Sequence, residues 1–575
     1  MHNPLSRRTA SWLLVALMVP ASFLVNGGER ISARAQEALD RHPHEMLDLI
    51  VTYHQRQAAA DRAKVKSNGG SIRHEFKAIR GHAIRVPARA ARTLENNPNV
   101  ERISLDEPVS GAVMSTLDDG LYTVTGASTA IVASLPSSVT DGVAGLDTVP
   151  YTGAGVKVAV VDTGFKNHSD LSPLLRVSLV GKKADDENGH GNHVATIVGG
   201  SGKSSSAMYR GVAPDAQVIT VRVLDEVGQG LSSDVIAGID DIIRLNQDFW
   251  HIKVVNMSLG HPVHEPAELD PLVQAVEALW DSGVVVVCSA GNAGRDGYGT
   301  ITSPGNSRKV ITVGSVTTWG DSNAGNDIVS TFSSRGPTRI DRFVKPDLIT
   351  HGNRVIAAQA DRSYLETNHP ERLIKVPGAR DADYYQLSGT SMAAAVVSGA
   401  VALMLEKDPS LTPDTVKARL MRSATKVDFA DVFATGAGLL DIQAALDETR
   451  SADQAPSPRV LRDEVNGKLG FEETALLWRH QQWALGYLWS DGYLWSDGSV
   501  DADGYLWSDG YLWSDGYLWS DGYLWSDGYL WSDGYLWSDG YLWSDGYLWS
   551  DGYLWSDGYL WSDGTTSSDY VLLSD

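Results

Sequence analysis

The chain has 575 residues, 43% of them hydrophobic, enough to bury a large core and to divide into several domains. Its formal charge of -23 is unevenly spread: from Tyr487 onward there are 16 Asp and no Lys, Arg or Glu, so only about -7 belongs to everything before. No basic patch predicts nucleic-acid binding, and one cysteine, Cys288, excludes an internal disulfide framework.

At the N-terminus Arg7 and Arg8 precede an apolar stretch over 12–25, and Ala33-Arg34-Ala35 fits a small-x-small cleavage pattern. Together these predict an export signal over 1–35 and a secreted or cell-surface product. The arginine pair reads as the basic start of a general secretory signal rather than a twin-arginine one. Pro20 and the short apolar length argue against a spanning helix, and no other segment reads as apolar for long enough. Residues 36–108 alternate in character: strand 47–53, helix 55–66, an Asn68-Gly69-Gly70 turn, strands 72–79 and 82–86, helix 88–96, strand 100–105. That order predicts a small α+β sandwich. Its histidines His42, His44, His54, His74 and His82 are expected on a solvated surface, with acid-triggered release as the alternative use. Residues 109–137, rich in Ser, Thr, Gly and Ala, read as an exposed, cleavable connector.

Residues 138–449 have a different pattern. The runs 156–161, 218–223 and 284–287 are apolar enough to be strands buried on both faces, and 233–246 and 269–282 read as helices between them. This predicts a doubly wound, mainly parallel α/β domain, with Cys288 a buried thiol at a strand end. Pro456 and Pro458 mark a linker over 450–486, in which 471–485 reads as a short amphipathic helix. From 487 to 564, Tyr-Leu-Trp-Ser-Asp-Gly occurs twelve times, with one degenerate copy at 499–504, before a short C-terminal end at 565–575. Asp-Gly is a two-residue turn signal, so an antiparallel meander and a stacked solenoid are both solutions. The tail is read as binding cell-surface glycans or self-associating, against a disordered spacer.

Three segments carry the chemistry of a hydroxyl nucleophile, which needs a base and oxyanion donors. Val158-Ala159-Val160-Val161-Asp162-Thr163-Gly164 sets a carboxylate at a strand's carboxyl end, where α/β sites gather. Asn188-Gly189-His190-Gly191-Asn192-His193-Val194-Ala195 opens an apolar helix. Its His-x-x-His spacing invites a metal, but no glutamate lies between the histidines and no third ligand is evident, so His193 reads as packed. Gln386-Leu387-Ser388-Gly389-Thr390-Ser391-Met392-Ala393-Ala394-Ala395 places a serine before a small-residue helix, where backbone N–H groups favour an anion. Ser289-Ala290-Gly291-Asn292-Ala293-Gly294 offers an asparagine amide as a further oxyanion donor. Singly, each is also an ordinary turn or cap.

In their chain order, with Asp162, His190, Asn292 and then Ser391, the four motifs resemble the subtilisin-like serine proteases, as do Arg210-Gly211-Val212-Ala213-Pro214, Phe332-Ser333-Ser334-Arg335-Gly336-Pro337 and Lys345-Pro346-Asp347. The resemblance implies that Ser391 attacks, His190 is general base and Asp162 orients it, while Asn292 and the Ser391 N–H form the oxyanion hole. It implies substrate binding along Ser258, Leu259 and Gly260, facing Gly228, Gly230 and Leu231, with Ala290 and Gly291 beside the residue before the scissile bond. It also implies extended peptide or protein substrates, a propeptide over 36–108 that inhibits until self-cleavage, and no cofactor for the chemistry; structural calcium has no assignable ligands. Asn192 stands where the family usually has threonine and Ala395 where it usually has proline, so altered packing is expected there. The alternative is an inactive surface-binding repeat protein on a protease-like scaffold.

Overall fold

The computed structural model describes residues 30–111, 149–318, 327–376, 383–425, 427, 432–462 and 469–472, together with the backbone of the repeat strands between 487 and 573. The export segment up to residue 29, most of the connector (112–137) and the expected helix beyond residue 472 lie outside the described residues.

The first unit is a four-stranded antiparallel sheet in the order Ser71–Glu75, Gly81–Pro87, Met46–Tyr53, Val100–Leu105. Helices Ala33–Arg41, Ala59–Ser67 and Ala88–Leu94 complete it. Leu49, Val51 and Tyr53 alternate into a core with Ile84, Val86 and Ile103, as period-two strands require. The unit begins earlier than expected. Ser32 accepts from the Ala35 N–H and caps the first helix; Ala35 and Leu39 are buried, and Ser32 N–H donates to the Ile103 carbonyl. The Ala33-Arg34-Ala35 pattern therefore lies inside a packed helix, and a cut after residue 35 would remove its first turn. Of the five histidines, His42, His44 and His54 are exposed, but His82 is fully buried and His74 lies 3.0 Å from Asp234 across to the second unit.

The second unit is built on an eight-stranded sheet. Parallel strands run in the order Leu348–His351, Ile311–Thr317, Val285–Ser289, Ile252–Met257, Lys157–Asp162, Gln217–Arg222, Leu175–Ser178; the two-residue strand Ile328–Val329 pairs antiparallel with Ile311–Thr317. The chain leaves Lys157–Asp162 toward one edge and returns on its other side at Ile252–Met257. This reversal opens a crevice at the carboxyl ends of those strands. Helices His190–Gly199, Ser232–Gln247, Pro271–Asp281 and Thr390–Lys407 cover the sheet. Asp270 caps the third of these by accepting from the Leu272 and Val273 N–H groups, with Pro271 at the first helical position. Thr390–Lys407 is buried all round from Thr390 to Leu405, so its small residues serve close packing: a Cβ on Gly399 would lie 2.5 Å from that of Val212. By length and composition it could cross a membrane, which corrects the sequence reading, but 89% of its apolar window is inside the fold.

Two further expectations change. The segment containing Pro456 and Pro458 is strapped to the second unit: Ser457 is fully buried, its N–H donates to the Arg308 carbonyl, and Val344 N–H donates to Pro458. Phe471 and Glu472 belong to the strand Leu469–Glu472, which pairs with Arg459–Arg462, rather than to a helix.

In the repeat, the Tyr-Leu-Trp-Ser tetrads from 487 to 541 lie in strands paired in parallel with the tetrad 18 residues on, Tyr487 beside Tyr505 and Trp489 beside Trp507. Three hexads thus make one coil, and the degenerate Val500–Ala502 keeps phase by pairing with Leu518–Ser520. A hairpin would oppose Tyr to Ser, whereas the parallel pairing sets identical residues side by side in register, as in a stacked solenoid.

Candidate active site

Asp162 ends its strand with the side chain buried, and its Oδ1 accepts the Thr163 N–H at 2.7 Å. His190 opens its helix after Gly189, whose φ of +108° is a left-handed turn that disfavours a side chain. His190 Nδ1 lies 2.7 Å from Asp162 Oδ1, and both side chains are 1% exposed. Such a contact fixes which ring nitrogen carries the proton and leaves Nε2 to act as base; Nε2 is buried and makes no hydrogen bond. Gly191 is demanded by proximity: a Cβ there would strike the Gly164 carbonyl and Thr163 Oγ1.

Ser391 is the second residue of the Thr390–Lys407 helix, and its Oγ donates to the Ser258 carbonyl at 3.2 Å. Ser258 Oγ in turn donates to the Ser391 carbonyl at 3.0 Å, tying the helix start to the end of Ile252–Met257. Asn292 follows Val285–Ser289. Its Oδ1 accepts from both the N–H and the hydroxyl of Thr390 at 3.0 Å, which holds the amide plane next to the Ser391 turn. Gly291, at φ +103°, donates its N–H to Thr390 Oγ1, and Ala290 is buried beside it. Parallel strand ends thus bring Asp162, Ser258, Ala290, Gly291 and Asn292 to one rim, and the His190 and Ser391 helices start there.

The departures now have surroundings. Asn192 Oδ1 accepts from Lys166 N–H at 2.6 Å, while its amide donates to the Lys166 and Gln359 carbonyls. Ala395 sits within the buried helix. His193 is fully buried, with Nε2 against the Val355 and Tyr385 carbonyls; burial pushes it down to about 3, so it stays neutral. Burial pushes the Cys288 thiol up to about 12, consistent with an inert packed cysteine.

One occupant of the crevice was not foreseen. Pro108–Gly111, which spans the expected end of the first region at 108 and the start of the exposed connector at 109, is a strand lying antiparallel between Leu259–Pro262 and Gln229–Leu231. Leu259 pairs with Gly111, Gly260 with Ser110, and Gly230 with Val109. Gly111 N–H donates to the Gly228 carbonyl at 3.1 Å. Val109 is 1% exposed within the core of the second unit. The expected binding residues Leu259, Gly260, Gly228, Gly230 and Leu231 therefore all border a peptide strand. Alternation in Pro-Val-Ser-Gly was too short a signal to reveal it.

The subtilase family (Peptidase S8) matches residues 153–438. Subtilisin DY of Bacillus licheniformis is 34% identical over 299 residues, 51% of this chain and 92% of that protein. The chain belongs to the subtilase family. Other subtilases are similar too: serine protease AprX of Bacillus subtilis (strain 168) is 40% identical over 300 residues, 51% of this chain and 66% of AprX. Subtilisin E of the same organism is 31% identical over 405 residues, 69% of this chain and 89% of that one. Among solved structures, fervidolysin from Fervidobacterium pennivorans, a keratinolytic enzyme related to subtilisin, has a similar fold. Its TM-score is 0.54 at 22% identity, over 71% of this chain and 61% of fervidolysin. The chain thus spans just under two thirds of AprX and about three fifths of fervidolysin.

Proposed function

We propose that this subtilase is an exported serine endopeptidase made as a self-processing zymogen. Ser391 is the nucleophile, His190 the general base, Asp162 its orienting carboxylate, and Asn292 with the Ser391 N–H the oxyanion donors. The observation that carries the reading is the strand Pro108–Gly111, which lies in the crevice as a substrate would, pairing by backbone on both sides. The last residue of that strand, Gly111, pairs with Leu259, next to Ser258, whose carbonyl holds the Ser391 hydroxyl. The bond cut is therefore Ala112–Val113. When the hydroxyl turns from Ser258 to His190 Nε2, the base takes its proton, Ser391 acylates on Ala112, and the proton goes to the Val113 amine. Export cleavage falls before the helix Ala33–Arg41, whose Ala35 and Leu39 are packed in the first unit.

The position facing His190 sets a test. A Cβ on Gly111 would lie 3.3 Å from His190 Nδ1 and 3.7 Å from Leu224 Cδ1. Gly111→Val should slow self-cleavage at least about tenfold, the cost of overpacking, whereas Ser110→Ala, at an exposed position, should leave the rate unchanged. N-terminal sequencing over a time course of the purified full chain reads both the rate and the bond. Cleavage of the purified chain at another bond would refute the assignment.

The first unit serves as the propeptide. Its Asp106 carboxylate accepts the Ser233 N–H at 2.9 Å and its Glu107 carbonyl accepts Ser232 N–H, so it supplies the cap that Ser232–Gln247 lacks within its own unit. Arg102 pairs with Glu265 at 2.7 Å, and Asp240 accepts from Lys77 and Ala78. Burial outweighs the Arg102 charge and pushes Glu265 up to about 7; burial also pushes Asp106 up to about 6. A carboxyl raised in the docked state binds its proton more tightly there. Its contribution to docking is full at pH 4 and is lost as pH rises through 6 to 7. Burial pushes His264 down to about 4, which acts in the opposite sense, weakening docking as pH falls below 6.5. The Glu265→Gln variant isolates the carboxyl: release after cleavage should speed up between pH 5 and 8 more in the wild type than in the variant, read as the lag before activity appears. Equal pH dependence would remove Glu265 from release.

The tail self-associates. Parallel coil-on-coil pairing of identical hexads supports this, because the contact between two coils of one chain is the contact that would join two chains. Sedimentation of the full chain should show concentration-dependent assembly that a chain ending at residue 486 lacks. Monomers of both, with the full chain retained on glycan, would favour surface binding instead.

A further inference from the structure

We propose that Asp186 is a positioning residue that couples the carrier of Asp162 to the carrier of His190, with Thr163 as the bridge. The inference rests on the serine-protease reading of this site. Asp186 is fully buried, and its hydrogen-bond partners among the described residues are neutral donors rather than cations: Thr163 Oγ1 at 2.8 Å, Asn188 N–H at 3.0 Å, Gly189 N–H at 2.7 Å and Asn192 N–H at 2.7 Å. A carboxylate taken out of water needs such donors, and three of them are backbone groups at the start of the His190 helix, where orphan N–H groups converge. Thr163 closes the circuit. Its hydroxyl donates to Asp186 and accepts the Gly191 N–H at 2.8 Å, while its own N–H donates to Asp162 Oδ1 at 2.7 Å.

The two residues flanking His190 are thus both tied to one carboxylate, Gly189 directly and Gly191 through Thr163. The residue that bridges them also grips Asp162. The loop bearing Asp186 is itself strapped: the buried Arg222, paired with Asp162 across the sheet, donates to the Lys183 and Asp185 carbonyls and to Glu187. A set of contacts that served only the helix start would not include Thr163. A set that served only the strand end would not include Gly189 and Asn192. Together they fix the separation on which the Asp162–His190 contact depends.

The test uses the full chain, matured by a trace of wild-type enzyme and counted by active-site titration, so that misfolded protein drops out. Thr163→Val removes the bridge and should lower kcat per titrated site about tenfold with KM within twofold, and Thr163→Ser should restore kcat to within twofold. Asp186→Asn places an NH2 against a donor N–H and should lower kcat about 100-fold, the scale expected for a misplaced catalytic group. Because both act through one circuit, the double variant should be no worse than Asp186→Asn within threefold. Wild-type kcat in Thr163→Val, no rescue by Ser, or losses that multiply in the double variant would overturn the inference. If Asp186→Asn yields no folded protein, the Val and Ser pair at 163 decides. A wild-type chain that cannot be titrated at all would instead overturn the protease reading.

Discussion

Ser391→Ala is expected to lower peptide hydrolysis about 10⁶-fold, the scale of losing the nucleophile from an Asp-His-Ser triad, and to leave the purified chain uncut at Ala112–Val113. The reason is geometric as much as chemical. His190 and Asp162 remain in contact at 2.7 Å without the serine, and the strand Pro108–Gly111 still fills the crevice. The variant should therefore fold and stay closed by its own N-terminal unit. Analysis by intact mass and by initial rates on an unstructured protein separates the effects: one uncut species with no hydrolysis above background is the expected result. Normal processing of the variant when purified alone would mean that another residue or another protein does the cutting.

The largest effect on stability is expected at Asp347. Its carboxylate lies fully buried between two buried ammonium groups, Lys345 at 2.7 Å and Lys417 at 3.2 Å, and also accepts from Ser457 Oγ at 2.6 Å and Thr312 N–H at 2.7 Å. Lys345 also donates to the Val310 carbonyl, and Lys417 to the carbonyls of residues 308–310 and to Ser457 Oγ. Burial pulls Lys417 down to about 7, and Asp347 is what offsets that cost; the two lysines in turn hold the Asp347 carboxyl below its usual range against its own burial. Asp347→Asn keeps the shape but strands two buried cations. The expected loss is about 3–5 kcal/mol, or a fall in Tm of roughly 6–20 °C for a domain of this size. Asp281→Asn, which breaks the half-exposed pair with Lys309, should cost less than about 1 kcal/mol. Thermal unfolding of both in the Ser391→Ala background checks the contrast without self-digestion. Equal shifts would show that the buried cluster is not what clamps Ser457 and the strand ends together.

The parts of this molecule that were legible in its sequence are those in which one residue type meets one local demand. Continuous apolar runs at 156–161 and 284–287 announced strands covered on both faces, and the helix pattern over 233–246 differs from Ser232–Gln247 only at its ends. Asp162, His190, Asn292 and Ser391 were assigned as a site from the order and spacing of their four motifs, since singly each is also an ordinary turn or cap.

What escaped notice depends on partners far along the chain. Asp186 lies in an acidic loop and reads as a turn residue; only the fold brings Thr163 to it from 23 positions away. Val109 is apolar but isolated among small residues, and its burial is supplied by the second unit. Ala33-Arg34-Ala35 satisfied a processing pattern while also being good helix, and the packing of Leu39 decides the local structure. His82 is buried against Tyr53, 29 residues earlier, whose ring meets it edge to face and whose hydroxyl lies 3.1 Å from its Nδ1. The tail's hexad specified short strands, but whether they pair antiparallel or in parallel depends on the partner 18 residues on.

The most direct test of the central claim is to treat the matured wild-type protein with a serine-directed fluorophosphonate and measure the intact mass and the labelled peptide. The proposed function predicts one adduct, on Ser391, in a chain that begins at Val113. An unlabelled mature protein, or a label elsewhere with Ser391 intact, would contradict it.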